Sequence, residues 1–210
     1  MHFLITAGGT REYIDPVRFI SNASSGKMGC ALARAALRAG HKVTLITAPM
    51  ARREPDGAKV IKVESAAEMF EAVKKHFAKC DCLIMAAAVA DYTPARPAKR
   101  KLKKTADSLT LNLKPTTDIL KWAGSHKKGK QIVAGFALED KALRKRAEAK
   151  MKEKNLDMII ANTPAAIGAE ESTVQIGTAG ADWSKVENKS KNAIARKIVT
   201  MLERGCKNGN

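Results

Sequence analysis

A chain of 210 residues with 45% hydrophobic content can bury one sizeable core, and only 4% aromatic residues means that core is aliphatic and alanine-rich. Lys and Arg outnumber Asp and Glu by 38 to 21, giving a formal charge of +17 that favours anionic partners: nucleotides, phosphorylated metabolites or nucleic acid. No apolar run of about 20 residues occurs, and the amino-terminal apolar stretch breaks at Gly8-Gly9, so no signal peptide or membrane contact is expected and the chain reads as soluble and cytoplasmic.

In chain order, period and composition predict strands over His2–Ala7, Lys42–Thr47, Lys59–Val63, Cys82–Ala88, Ser108–Leu113, Gln131–Phe136, Leu156–Ala161 and Ser172–Ile176. Helices are predicted between them, over Ser25–Ala39, Ser65–Ala78, Thr117–Trp122, Glu139–Lys154 and Lys189–Glu203, with Gly40 a stop for the first and Ser65-Ala66-Ala67-Glu68 a capping box for the second. Such βαβ alternation implies an α/β fold, a Rossmann-like, doubly wound and mostly parallel sheet. No repeat or linker divides the chain, so residues 1–210 read as a single domain.

The first strand-to-helix connection is not a nicotinamide turn. Gly8-Gly9-Thr10 is followed by a long excursion, Arg11 to Ala23, before Ser24-Ser25-Gly26-Lys27-Met28-Gly29 opens the helix. Ser24 and Ser25 are candidate caps, and free N–H groups there suit an anion. A P-loop is excluded because Met28 stands where Ser or Thr is required.

The chemistry is expected past the fourth predicted strand, where Met85-Ala86-Ala87-Ala88 runs on to Asp91-Tyr92 and then to the basic loop Lys99-Arg100-Lys101-Leu102-Lys103-Lys104. Ligands bind beyond the carboxyl ends of strands in open α/β sheets, and small residues let them approach the backbone. A carboxylate followed ten residues later by a loop lysine suits a polyphosphate, although a core strand followed by a solvated charge run has the same pattern. The four cysteines (Cys30, Cys80, Cys82, Cys206) lack CxxC spacing and read as reduced structural thiols, and the four histidines (His2, His41, His76, His126) lack metal-ligand spacing.

Gly8-Gly9-Thr10-Arg11-Glu12 with Asp15-Pro16-Val17-Arg18-Phe19-Ile20-Ser21-Asn22-Ala23-Ser24-Ser25-Gly26-Lys27-Met28-Gly29 closely resembles the amino-terminal signature of phosphopantothenoylcysteine synthetase, of coenzyme A biosynthesis. Three further stretches agree in order: Ala87-Ala88-Val89-Ala90-Asp91-Tyr92, Lys101-Leu102-Lys103-Lys104, and Gly135-Phe136-Ala137-Leu138-Glu139 leading through Lys150 to Lys154-Asn155-Leu156-Asp157. The resemblance implies a ligase in which the carboxylate of 4'-phosphopantothenate attacks the α-phosphate of CTP, with Mg²⁺, and L-cysteine then displaces CMP from the acyl-cytidylate. It implies Lys101 and Asn22 as catalytic residues, with Arg18 and Asn22 handling the second substrate and the acyl intermediate. It further implies a nucleotide site at Met85, Ala86, Ala87, Asp91, Lys101, Phe136, Lys150 and Lys154. The chain departs from the family's Pro-Asp-Ile by reading Pro115-Thr116-Thr117-Asp118-Ile119-Leu120, the stretch to which contacts at Thr117, Asp118, Ile119 and Leu120 are carried.

The family builds its site across a homodimer, and the Arg11–Ala23 excursion, with Tyr13, Ile14, Val17, Phe19 and Ile20, is the expected dimerisation arm; the alternative is that it folds back on its own sheet. A phosphopantothenoylcysteine decarboxylase, separate or fused, is the expected companion. Two other readings are disfavoured. A nucleic-acid module lacks aromatic interleaving, with five Phe, two Tyr and two Trp in the chain. A nicotinamide oxidoreductase lacks both the glycine fingerprint and an acidic residue after the second predicted strand, where Thr47-Ala48-Pro49 stands.

Overall fold

Strands whose side chains are buried on both faces form the middle of the sheet, and their sequences accordingly read as continuous apolar runs. A computed structural model describes the protein over residues 1–50, 52–104, 108–166 and 168–207, and the side chains of residues 206 and 207, Cys206 among them, lie outside the described residues. The elements are β1 (His2–Ala7), β2 (Arg11–Tyr13), β3 (Phe19–Ser21), α1 (Lys27–Arg38), β4 (Lys42–Thr47), β5 (Lys59–Lys62), α2 (Ala66–Phe77), β6 (Cys82–Met85), β7 (Tyr92–Pro94) and β8 (Leu113–Pro115). They continue with α3 (Ile119–His126), β9 (Ile132–Leu138), α4 (Leu143–Glu153), β10 (Met158–Asn162), β11 (Glu171–Thr178), β12 (Ser184–Ser190) and α5 (Lys191–Lys207).

Eight strands form one sheet in the order β12-β11-β10-β9-β6-β1-β4-β5. The run from β10 to β5 is parallel, while β11 and β12 are antiparallel, so the expected mostly parallel, doubly wound sheet is present. One face packs α1 and α5 through Leu32, Ala33, Ile194 and Ile198. The other packs α2, α3 and α4 through Met69, Val73, Ile119, Ala123 and Ala147. Small residues set the helix–sheet distance: a Cβ on Gly29 would stand 2.5 Å from Ala7 Cβ and 2.8 Å from Thr6 O, so α1 lies almost on the end of β1. Ser65 caps α2 by accepting from the Glu68 N–H at 3.2 Å, and Glu68 in return accepts from the Glu64 N–H at 2.9 Å, one residue earlier than a standard capping box.

Four local expectations change. The strand predicted over Cys82–Ala88 ends at Met85, because the Ala87 N–H beyond it bonds to a threonine hydroxyl and only an isolated bridge, Ala88 with Gly9, resumes pairing past the end of β1. The Ser108–Leu113 stretch does alternate, but Leu109, Leu111 and Leu113 have no apolar face to cover them and are 61%, 36% and 43% exposed; pairing begins only at Leu113, in β8. The Arg11–Ala23 excursion contains a two-stranded ribbon, β2 with β3, and β7 pairs with β8 in a second ribbon beside it. The edge strand β12, Ser-Lys-Val-Glu-Asn-Lys-Ser, carries no apolar pattern because nearly all of it faces water. Among the described residues no helix is long and apolar enough to cross a membrane.

Candidate active site

Two buried threonines shape the carboxyl end of β6. The Thr6 hydroxyl accepts from the Ala87 N–H at 3.1 Å, and the Thr10 hydroxyl accepts from the Ala90 N–H at 2.9 Å. Between them the Ala88 N–H donates to Gly8 O at 2.8 Å. Residues 86–90 are thereby peeled away from β9 and laid over the end of β1, which leaves an opening between β6 and β9. Thr116 secures the far side: its hydroxyl donates to Ala90 O at 2.6 Å and its N–H to Asp91 O at 2.9 Å.

The opening is a cavity of about 370 Å³. Of the expected nucleotide residues, Met85, Ala87, Asp91, Thr117, Asp118, Ile119, Leu120, Phe136, Lys150 and Lys154 all line it, and the contacts carried across the unusual Pro115-Thr116-Thr117 stretch fall in the same place. Val89, Tyr92, Pro115 and Thr116 line it as well; the sequence reading did not assign them. Ala86 is adjacent in the chain but is not part of the lining.

Charge in the cavity is arranged as two lysines against two carboxylates. Lys150 and Lys154 are four residues apart at the end of α4, on one face. Lys150 Nζ donates to Phe136 O at 2.9 Å, and burial, aided by the charge of Lys154, pushes its ammonium below the usual lysine value while Glu139, Asp118 and Asp91 resist. Lys154 Nζ lies 2.7 Å from Asp118 Oδ2, and Asp118 also caps α3 by accepting from the Lys121 N–H at 2.9 Å. Burial works against ionisation of Asp118, but the hydrogen bonds from Lys154 and Lys121 and the two lysine charges outweigh it and hold the carboxyl below its usual value. Asp91 stands exposed at the rim.

Lys101, Arg18 and Asn22 are outside this lining. Lys101 is exposed on its loop. Asn22 donates from Nδ2 to Val89 O at 3.1 Å, so the end of the first ribbon is tied to the peeled segment beside Asp91. Arg18 is held by Asp15, through Nε at 3.0 Å and Nη2 at 2.5 Å, and Nη2 also donates to Leu102 O at 2.7 Å. Asp15, to which no role was assigned from sequence, is 1% exposed, and the Arg18 guanidinium, with N–H groups of Val17, Leu102 and Arg18, holds its carboxyl well below the usual carboxylate range against the effect of burial. Its signal in the sequence is Asp15-Pro16, an aspartate opening a turn whose later N–H groups it can accept.

The start of α1 differs from expectation. Its N-cap is Gly26 at φ 71°, and neither Ser24 nor Ser25 caps the helix; Ser24 Oγ instead accepts from the Gly26 N–H at 3.4 Å. Gly9, Arg11, Ser21, Ser24, Ser25 and Arg52 surround a second opening of about 800 Å³ there, while Lys27 is ion-paired with Glu170. Cys30, Cys80 and Cys82 are buried, and burial pushes the Cys80 thiol up to about 12, which suits inert core residues. Among the described residues no three His, Cys, Asp or Glu side chains group as a metal site would require.

Residues 1–205 match the model of the DNA/pantothenate metabolism flavoprotein C-terminal domain. The chain is 50% identical over 169 residues to the coenzyme A biosynthesis bifunctional protein CoaBC of Bacillus subtilis (strain 168), covering 80% of this chain and 41% of that protein. It is 44% identical over 207 residues to a cysteine/cysteine sulfinic acid decarboxylase of an unknown prokaryotic organism, covering 94% of this chain and 58% of that one. The chain thus spans about half the length of these relatives. The crystal structure of the C-terminal domain of a coenzyme A biosynthesis bifunctional protein CoaBC superposes with a TM-score of 0.85 at 36% identity, covering 99% of this chain and 96% of that one. With nearly its whole length matched by the family model and by that domain, the chain belongs to the DNA/pantothenate metabolism flavoprotein C-terminal domain family.

Proposed function

We propose that this chain joins 4'-phosphopantothenate to L-cysteine, using CTP and releasing CMP and pyrophosphate, as the ligase unit of coenzyme A biosynthesis. The observation that carries the reading is the cavity where Asp91, Lys150, Lys154 and Phe136 converge at a peeled strand end, in a chain that shares the fold of a CoaBC C-terminal domain. The ligase reading follows the matched domain: the chain covers 96% of the CoaBC C-terminal domain but only 58% of the decarboxylase relative.

In the first step a carboxylate oxygen of phosphopantothenate bonds to the α-phosphorus of CTP and the bond to the departing pyrophosphate breaks. In the second the cysteine amine bonds to the acyl carbon, CMP leaves with the former carboxylate oxygen, and the amine's extra proton goes to solvent. No enzyme nucleophile is needed, so the chain contributes position and charge. Lys150 and Lys154 supply positive charge for the nucleotide, with Asp118 holding Lys154 in place. Phe136 flanks the base, and the backbone of Met85 and Ala87 with Thr117, Ile119 and Leu120 shapes a slot for a pyrimidine and against a purine. Lys101 closes on the triphosphate as pyrophosphate departs. Asn22 and Arg18 serve the second substrate and the acyl intermediate, Asn22 through an amide that donates without adding charge.

Asp91, exposed at the cavity rim, would hold a Mg²⁺ bound to the nucleotide phosphates, and the ion would supply positive charge to offset that of the triphosphate. The two ribbons present Val17, Phe19 and Tyr92 at 57%, 41% and 56% exposure, which supports a homodimer formed through this arm. On this reading residues 1–210 are one ligase domain at work in the cytoplasm, binding neither nucleic acid nor membrane, with a phosphopantothenoylcysteine decarboxylase fused to it or separate. The test is pyrophosphate release: it should require CTP, phosphopantothenate and Mg²⁺ together, and release that ignores phosphopantothenate would refute the reading.

A further inference from the structure

The basic loop after β7 is fixed at two points, both on the first ribbon. The Ala98 N–H donates to Ile14 O at 2.8 Å. Four residues later, both backbone groups of Leu102 are taken: its N–H donates to Asp15 Oδ2 at 3.1 Å, and its C=O accepts from Arg18 Nη2 at 2.7 Å. Among the described residues, no other backbone hydrogen bond holds residues 98–104. The loop between the two anchors carries Lys99, Arg100 and Lys101, and Lys101 stands directly before the second.

Asp15 is built to hold such an anchor still. Oδ1 accepts the Val17 and Arg18 N–H groups at 2.9 and 2.8 Å, which fixes the carboxylate plane to the turn of the ribbon. Oδ2 accepts Arg18 Nε and Nη2 and the Leu102 N–H, so one buried oxygen joins the arginine to the loop. A charged acceptor with only 1% exposure gives hydrogen bonds stronger than neutral ones, and water does not compete for them. A turn-forming aspartate needs only the Oδ1 contacts. The Oδ2 contact to a residue 87 positions away serves the loop and not the turn.

We propose that Asp15, acting with Arg18, is a positioning residue for Lys101: the pair grips the Leu102 peptide groups and sets where the Lys101 ammonium meets the triphosphate. This rests on the ligase reading for its consequence in rate, though not for the grip itself. Arg18 completes the grip, its Nε and Nη2 held by Asp15 while Nη2 donates to Leu102 O.

Asp15→Asn tests it, because Oδ1 can keep both turn contacts while an amide nitrogen replaces the acceptor facing Leu102 and Arg18. Limited digestion of the whole chain with trypsin reads the grip without any activity. The Lys101–Leu102 bond should be cut about tenfold faster in the variant, as expected for loss of one buried charged hydrogen bond, while cleavage at the exposed Lys128–Gly129 turn stays unchanged. Equal acceleration at both bonds, or none, would overturn the proposal. In pyrophosphate release, Asp15→Asn should lower kcat about tenfold or more with little change in KM for CTP, and should have no further effect in a Lys101→Ala background. Full multiplication of the two losses would refute action through Lys101. Wild-type protein that releases no pyrophosphate would refute the ligase reading instead, leaving the proteolysis result to judge the grip.

Discussion

Lys154 Nζ and Asp118 Oδ2 meet at 2.7 Å, joining the carboxyl end of α4 to the amino-terminal cap of α3. Each charge opposes the helix dipole end it sits on, so the pair is favourable twice over. Gly124 allows the approach: a Cβ there would stand 1.8 Å from Lys154 O. The cavity's cationic wall is therefore held by helix packing rather than by a loop, while Lys101, proposed to act on the departing pyrophosphate, sits on one. On the proposed roles, fixed charge for binding and tethered charge for the reaction are separated in the fold.

Lys101→Ala should act on the first half-reaction. Pyrophosphate release should slow by about 2 to 4 kcal/mol of activation free energy, the scale of losing one preorganised charge-stabilising donor. Rapid-quench measurement with labelled CTP reads it. A variant that forms acyl-cytidylate at the normal rate would remove Lys101 from the mechanism.

Asn22 should act later. Its amide now donates to Val89 O at 3.1 Å, next to Asp91, and can turn to an acyl carbonyl in the same region. Asn22→Asp should still make acyl-cytidylate but pass it slowly to cysteine, because a carboxylate cannot donate and repels developing negative charge. The intermediate should accumulate before cysteine is added and persist after it. Failure to make any intermediate would contradict this order of roles.

Acid should loosen the ribbon through Asp15. Its folded-state carboxyl titrates well below the usual value, chiefly because of Arg18, so the stabilisation is complete above the unfolded pKa of about 4 and is lost as pH falls towards the folded value. The stability difference between the wild type and Asp15→Asn in urea should thus be constant from neutrality down to about pH 5 and shrink below pH 4. A difference that grows in acid would have the wrong sign for a depressed carboxyl.

The central sheet was legible in the sequence because β1, β4 and β9 are buried on both faces and leave continuous apolar runs, and because Ser65 and Glu68 cap α2 with local chemistry. The cavity was legible from one strand end, since Ala87 and Asp91 lie where a peeled strand leaves room. The ribbons and β12 were not legible, being three residues long or solvent-covered, with no period to read. Ser108–Leu113 misled for the opposite reason, having a strand's alternation without a surface to bury it. Asp15 was hidden because its meaning lies in Leu102, 87 positions away, and Thr6 and Thr10 because a hydroxyl that replaces a ladder bond looks like any strand threonine.

A homodimer should form through the ribbons. Exposed Val17, Phe19 and Tyr92 cluster there, and light scattering at micromolar concentration should give twice the chain mass, with Phe19→Asp shifting it towards the monomer. A fully active monomer would rule the arm out as a subunit interface.

Oxygen tracing tests the central claim most directly. Phosphopantothenate labelled with ¹⁸O in its carboxylate, converted by the enzyme with CTP, Mg²⁺ and cysteine, should deliver one labelled oxygen to CMP and none to pyrophosphate, with one phosphopantothenoylcysteine formed per CMP. Unlabelled CMP, or label in pyrophosphate or inorganic phosphate, would mean that the carboxylate never attacked the α-phosphorus, and the acyl-cytidylate mechanism assigned to this cavity would be wrong.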